Sequence, residues 1–103
     1  MPAISLLVAV YNTSQYVEQC LQSIADQSFS DIEVILINDG STDHSGDILE
    51  AFAACDERFR VIHQTNQGLG AVRNRGIEEA TGTYLAFVDS DDVLAPQYCE
   101  ALY

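Results

Sequence analysis

Apolar positions follow two rhythms along the chain. Four runs, Ala3–Val10, Glu33–Asn38, Phe59–Gln64 and Thr83–Asp89, are rich in β-branched and other apolar residues. The first, second and fourth are nearly continuously apolar, as expected of strands covered on both faces in a parallel sheet. The three intervals between them carry a helical period. Ser14 to Gln27 places Val17, Cys20, Leu21 and Ile24 on one face, with Thr13 or Ser14 as the expected N-cap. Asp47 to Cys55 repeats the spacing with Ile48, Leu49 and Phe52, entered through "STDHS", where Ser41, Thr42, Asp43 or Ser45 could cap. Gly70 to Ala80 offers Val72, Ile77 and Ala80. Its Gly76 costs about 1 kcal/mol against Ala inside a helix, a cost that close packing of helix on sheet would justify. The closing "PQYCEALY" reads as the first turns of a fourth helix with no cap beyond it, which suggests a fragment of something longer.

Strands alternating with helices imply right-handed crossovers and an α/β fold, a three-layer, Rossmann-like, open and mainly parallel sheet. Ligands of such sheets sit beyond the carboxyl ends of the strands, where the direction of winding reverses. That rule gathers the polar features into one place: Tyr11-Asn12 after the first strand, Asn38-Asp39-Gly40 after the second, Thr65 to Gly68 after the third, and Asp89-Ser90-Asp91-Asp92 after the fourth.

Composition narrows the ligand. The 103 residues make at most one domain, and 48% hydrophobic content argues against disorder. Sixteen acids face four arginines (Arg58, Arg60, Arg73, Arg75) and no lysine, for a formal net charge of −12. A nucleic-acid backbone is therefore an unsuitable partner, and a metal ion a suitable one. Cys20, Cys55 and Cys99 are odd in number and lack zinc-site spacing, so reduced thiols and a cytoplasmic setting are expected. The apolar "ISLLVAVYN" is too short and wrongly flanked for a signal peptide or membrane span.

The strongest chemical signal is "YLAFVDSDDVL", a buried-strand pattern that runs into three carboxylates. Each like-charged pair about 4 Å apart costs about 1 kcal/mol in water and about 4 at a partly buried site. Asp89 and Asp91 can direct oxygens at one hard divalent cation, Mg²⁺ or Mn²⁺, with phosphate completing the shell. The plainer alternative, a helix cap plus solvated acids, accounts for one carboxylate and not three. Asp39, followed by the turn-forming Gly40, is placed to accept from a sugar hydroxyl or base N–H, or to make an ordinary Asx-turn. Tyr11 could stack on a base or shield the sheet edge. Arg73 and Arg75, two apart, cannot share a helix face; one could reach a diphosphate while the other pairs with Glu78 or Glu79. His44 and His63 are isolated, and no Ser-His-Asp or Cys-His set is evident. "GLGAVRNRG" fails as a dinucleotide loop because Arg73 stands where the last Gly is needed, and a P-loop requires the missing lysine.

Taken in order, "ISLLVAVYN", "YVEQCLQSIADQSFSDIEVILINDGSTDHS" and "NQGLGAVRNRGIEEATGTYLAFVDSDDVLAP" resemble the N-terminal, nucleotide-sugar-binding half of family 2 glycosyltransferases of the GT-A fold, over nearly the whole chain. The resemblance implies that residues 1–103 are that half, without the acceptor-binding part. It implies an inverting, metal-dependent transfer from a UDP- or GDP-type sugar to a hydroxyl of a glycan or lipid-linked acceptor, as in polysaccharide biosynthesis. Tyr11 looks like the family's base-stacking aromatic and Asp39 like its base N–H acceptor. Arg73 is similar to its basic residue near base and diphosphate. Asp89 and Asp91 look like its DxD pair, with Asp91 the direct ligand of Mn²⁺ or Mg²⁺ and Asp89 nearer the ribose; Asp92 is a weaker candidate. The family usually has Pro where Ala9 stands. The general base is expected beyond residue 103, so the fragment alone is expected to be inactive. The parent protein is expected in the cytoplasm, with peripheral attachment to the inner membrane face and homo-oligomerisation left open. Two rivals remain: "FVDSDDVL" also resembles the nucleophile strand of haloacid-dehalogenase-type phosphatases, and "DGSTD" approaches the metal-holding motif of adhesion modules.

Overall fold

The computed structural model describes residues 2–102. Four strands, β1 (Ile4–Val10), β2 (Ile32–Asp39), β3 (Phe59–Gln64) and β4 (Tyr84–Asp89), alternate with helices α1 (Val17–Ala25), α2 (Ser45–Cys55), α3 (Leu69–Glu79) and α4 (Tyr98–Leu102). Every pairing is parallel, in the order β3-β2-β1-β4. The first two crossovers step outward from β1 to β3, and the third returns past both to lay β4 against the other side of β1. With crossovers of one hand, reversing the direction must move the connecting helix to the opposite face.

Side-chain packing shows this reversal. On one face Leu6, Val8, Val34 and Leu36 pack with Val17, Leu21 and Ile24 of α1, Leu49 of α2 and Cys99 of α4. On the other, Leu7, Ile35 and Ile37 pack with Val72 of α3. Period-2 alternation therefore buries both faces of β1 and β2, which is why these strands are written as unbroken apolar runs. The winding direction reverses between β1 and β4, so a crevice opens at their carboxyl ends.

Gly76 allows the α3 layer to approach. A Cβ there would lie 2.1 Å from Leu7 Cδ2 and 2.8 Å from its Cγ, and Leu7 is 1% exposed, so its side chain would have to repack within a buried layer. Gly76→Ala should therefore destabilise by about 1–3 kcal/mol through overpacking, although Ala is the better helix former. Urea denaturation checks this; a more stable variant would mean that the helix sits further from the sheet.

Several boundaries differ from the sequence reading, for local reasons. Helix α1 starts at Val17, not Ser14, because Thr13 contributes its backbone carbonyl, accepting from Tyr16 and Val17 N–H, while neither Thr13 nor Ser14 supplies a side-chain cap. Helix α2 begins at Ser45 after His44, which stands at the N-cap without a side-chain cap bond, so none of the four expected residues is the N-cap; Asp43 instead accepts from Ser45 N–H at 2.9 Å in the turn before the helix. The helix expected from "PQYCEALY" spans Tyr98–Leu102; Tyr103 lies outside the described residues.

Candidate functional site

Strand register places the chemistry before any loop is considered. Val10 pairs with Asn38 and Ala9 with Asp89. Asp39 thus emerges beside Tyr11 on one side of β1, and Asp89 leaves the sheet on the other. These ends surround an open cleft of about 460 Å³, walled by Tyr11 and Thr13 after β1, Asp39 after β2, Asn66 and Gly68 before α3, Leu69 and Val72 of α3, and Asp89 to Asp91 after β4. Of the five residues singled out for donor and metal binding, four line it: Tyr11, Asp39, Asp89 and Asp91.

Arg73 does not line the cleft. Its guanidinium lies over the Phe87 ring, 5.5 Å from the centroid. Because Phe87 and Asp89 are two apart on β4, they project on the same face of the sheet. Arg75 faces Glu79 at 3.8 Å. The two arginines therefore diverge as their spacing requires, but Arg73 rests on an aromatic ring at the β4 side.

Asp39 is 5% exposed and organises the third wall. Its Oδ1 accepts from Gln64 Nε2 at 3.0 Å and Gln67 N–H at 2.9 Å, and its Oδ2 from Gly68 N–H at 3.0 Å. Burial alone would raise its pKa; these three donors outweigh burial and hold it below the ordinary value. Gly40 turns at φ 73°, where a Cβ would meet Asn66 N at 2.7 Å, and Asn66 Nδ2 donates to the Asp39 carbonyl. Sequence reasoning offered Asp39 either a ligand or an ordinary Asx-turn and missed this anchoring of the β3–α3 loop, because the partners lie at the end of β3 and in the loop after it.

The acidic cluster is held from beneath. Asp92 N–H closes a turn onto the Asp89 carbonyl at 3.0 Å, and one carboxylate oxygen from each of Asp89, Asp91 and Asp92 lies within 4.8 Å of the others. All three residues are exposed. The segment that follows is strapped to α1: Leu94 N–H donates to Ser23 Oγ, Gln27 Nε2 to the Ala95 carbonyl, and Cys99 N–H to Gln27 Oε1. Cys20 lies under the turn, its thiol donating to the Asp89 carbonyl at 3.5 Å. Burial first, then the field of Asp92, Asp91 and Asp89, pushes this thiol up to about 12. Three convergent oxygen donors, open to solvent so that phosphate and water can complete a shell, fit a hard divalent cation. Cys20, Cys55 and Cys99 are all free thiols.

"DGSTD" has a structural use. Asp43 accepts from Ser45 N–H and Ser14 N–H, and the Ser45 contact first, against some desolvation, holds Asp43 far below the ordinary range. Ser41 Oγ accepts from Asn12 N–H. Asp43 and Ser41 are thus engaged in loop contacts, and among the described residues the cluster of His, Cys, Asp or Glu side chains able to hold a metal is Asp89, Asp91 and Asp92. Thr13 Oγ1 is buried without a protein partner among the described residues.

The lowered pKa values set a direction for acid sensitivity. Asp39, Asp43, Glu33 and Asp56 all fall below their ordinary values on folding. A carboxylate depressed in the folded state contributes stability that is complete above its unfolded pKa of about 4 and is lost as pH falls through the folded value. Urea midpoints should hold from pH 7 to about 5 and fall below about 4. Constant midpoints down to pH 3 would show that these contacts contribute nothing.

Known proteins share the fold. The family model described as Glycosyl transferase family 2 matches residues 5–103. EpsH of Bacillus subtilis (strain 168) is 59% identical over 101 residues, covering 98% of this chain and 29% of its own length. The glycosyltransferase GlyG of Streptococcus pneumoniae serotype 4 is 46% identical over 101 residues, covering 97% of this chain and 34% of its own length. The chain therefore spans about a third of the length of these two relatives. Among solved structures, Staphylococcus aureus TarS 1-349 in complex with UDP-GlcNAc superposes with a TM-score of 0.88 at 31% identity, over 97% of this chain and 30% of that one. The mannosyltransferase PcManGT from Pyrobaculum calidifontis, in complex with GDP-Man and Mn²⁺, shares the fold at a TM-score of 0.87 and 22% identity, over 95% of this chain and 30% of that one. The sheet is of the GT-A glycosyltransferase type, and the phosphatase resemblance of "FVDSDDVL" is superseded by a family match across the whole strand-helix series. On fold, residue pattern and site placement together, this chain belongs to glycosyl transferase family 2.

Proposed function

We propose that residues 1–103 form the donor and metal half of a glycosyltransferase that moves a sugar from a UDP- or GDP-type nucleotide onto an acceptor hydroxyl with inversion. The observation that carries this reading is the convergence of Tyr11, Asp39, Asp89 and Asp91 on one cleft at the reversal of winding. TarS, at 31% identity, is the relative whose structure holds UDP-GlcNAc, which supports a nucleotide-sugar ligand here.

Each side chain then has a part. Tyr11 is 51% exposed at the cleft wall and offers a face for a base to stack on. A carboxylate has about four acceptor positions; three of Asp39's are filled by Gln64, Gln67 and Gly68, leaving one for a base N–H. Asp91, with Asp89 beside it toward the ribose, would hold Mn²⁺ or Mg²⁺. A divalent ion held there supplies neutralising charge to the departing diphosphate. Arg73 would reach a diphosphate by leaving Phe87, at a cost of about 0.5–1 kcal/mol for an exposed cation–π contact, less than a charge-assisted pair with phosphate returns.

In the transfer, a carboxylate takes the proton of the acceptor hydroxyl. The acceptor oxygen bonds to the anomeric carbon from the face opposite the diphosphate, and the bond to the diphosphate breaks with its electron pair on the departing oxygen. We place the general base and the acceptor site outside residues 1–103, in the part of the relatives that this chain does not span. A glycan or lipid-linked acceptor and a cytoplasmic site of action, peripheral at the inner membrane face, complete the proposal; among the described residues no helix is long and apolar enough to cross a membrane.

Thermal-shift measurements with UDP, GDP and ADP, each with Mn²⁺, test the reading. UDP or GDP at about 100 times its Kd should stabilise the chain by about 2.7 kcal/mol, a rise of roughly 10–20 °C at this size. No rise with any nucleotide would reject the donor-site assignment.

A further inference from the structure

Tyr11 faces the cleft, but something must fix where its ring stands. The residue after it, Asn12, is the non-glycine residue with positive φ among those described, at 52°. This left-handed geometry is tolerated by Asn better than by most side chains. Asn12 does not line the cleft. It is tied instead to the β2–α2 loop: its N–H donates to Ser41 Oγ at 3.1 Å, and its Oδ1 accepts from Thr42 N–H at 2.8 Å. The next two N–H groups continue the clamp, Thr13 to Ser45 Oγ and Ser14 to Asp43 Oδ2, each at 3.1 Å. Three consecutive backbone donors are thus held by side chains of the β2–α2 loop and the first residue of α2, starting at Ser41, two residues after Asp39.

On the donor-site reading above, we propose that Asn12 is a positioning residue. Its side chain locks the β1 exit to the β2–α2 loop and so sets Tyr11 at the correct spacing from Asp39 for a base to stack on one and bond to the other. Tyr11 is fixed on its N-terminal side by the sheet and on its C-terminal side by this clamp. A stacking residue with half its surface in solvent has little packing of its own to hold it, so the backbone must define its position.

Titration of UDP and GDP with Mn²⁺ into Asn12 variants, alone and with Tyr11→Ala, tests this. Asn12→Gly keeps the left-handed backbone and removes the acceptor; Asn12→Asp keeps both. Asn12→Gly should bind about tenfold more weakly, the scale of one lost aromatic–base stack. Asn12→Asp should stay within about threefold of the original chain. In the Tyr11→Ala background the Asn12→Gly loss should shrink below about twofold, because the group it positions has gone. Ser41→Ala loosens the same clamp from the other side and should weaken binding in the same direction, which keeps the test open if Asn12→Gly melts. Unchanged binding by Asn12→Gly, equal loss with and without Tyr11, or Asn12→Asp as weak as Asn12→Gly would overturn the proposal while leaving the donor site intact. Failure of the original chain to bind either nucleotide would overturn both.

Discussion

Replacing Asp39 with Ala is expected to lower stability by about 2–4 kcal/mol and to weaken nucleotide binding about a hundredfold. The stability loss follows from the three donors on this carboxylate: Gln67 and Gly68 N–H and the Gln64 amide would lose their acceptor at a site 5% exposed. Buried donors left unpaired cost about 1–3 kcal/mol, with partial rescue by entering water. For a chain of 103 residues that is a fall in Tm of roughly 10–20 °C. The binding loss combines removal of the proposed base acceptor with a displaced wall, since Gly68 and Asn66 also line the cleft. Asp39→Asn separates the two effects. It leaves one oxygen for the loop but turns an NH₂ toward another donor, so it should recover part of the stability and little of the affinity. Urea denaturation and calorimetric titration read the effects separately; full stability in Asp39→Ala would mean that the loop is held by something else.

Asp91→Ala is expected to move stability and binding in opposite directions. Asp89, Asp91 and Asp92 bring oxygens within 4.8 Å of each other at an exposed turn, where each like-charged pair costs about 1 kcal/mol. Removing one charge should leave the ligand-free chain as stable as before, or more stable by up to about 1 kcal/mol. The same change removes the proposed direct metal ligand, so Mn²⁺-dependent nucleotide affinity should fall about a hundredfold, roughly 2.7 kcal/mol, and residual binding should no longer respond to chelator. Equal losses in stability and binding would make Asp91 a structural residue of the turn.

Much of this molecule was legible in the order of apolar and polar residues because the physical constraints are local. Strands buried on both faces must be continuously apolar, so β1 and β2 were visible; β4 reads the same way but lies at the sheet edge, with Val88 buried and Tyr84 and Phe87 exposed, and Gly76 inside a helical period pointed to a close approach that Leu7 supplies. Tyr11, Asp39, Asp89 and Asp91 could be gathered because strand ends converge in an open α/β sheet whatever the loops do. Features that depend on contacts between loops were not legible. Thr13, expected as a cap, is tied through its own N–H to Ser45, Asp39 proved to anchor the Gln67–Gly68 backbone, and Arg73 was found on Phe87, a partner on another element. The strap from Ser23 and Gln27 to the segment after the acidic turn joins residues about seventy apart, and nothing in their spacing signals it.

The account stands on a cation shared between the acidic turn and a nucleotide diphosphate. Its most direct test is calorimetric titration of UDP and GDP into the 103-residue chain in Mn²⁺ and, separately, in excess EDTA. Binding that is at least about tenfold tighter in Mn²⁺, with the difference lost in Asp91→Ala, is the expected result. Equal affinity in both buffers would contradict it.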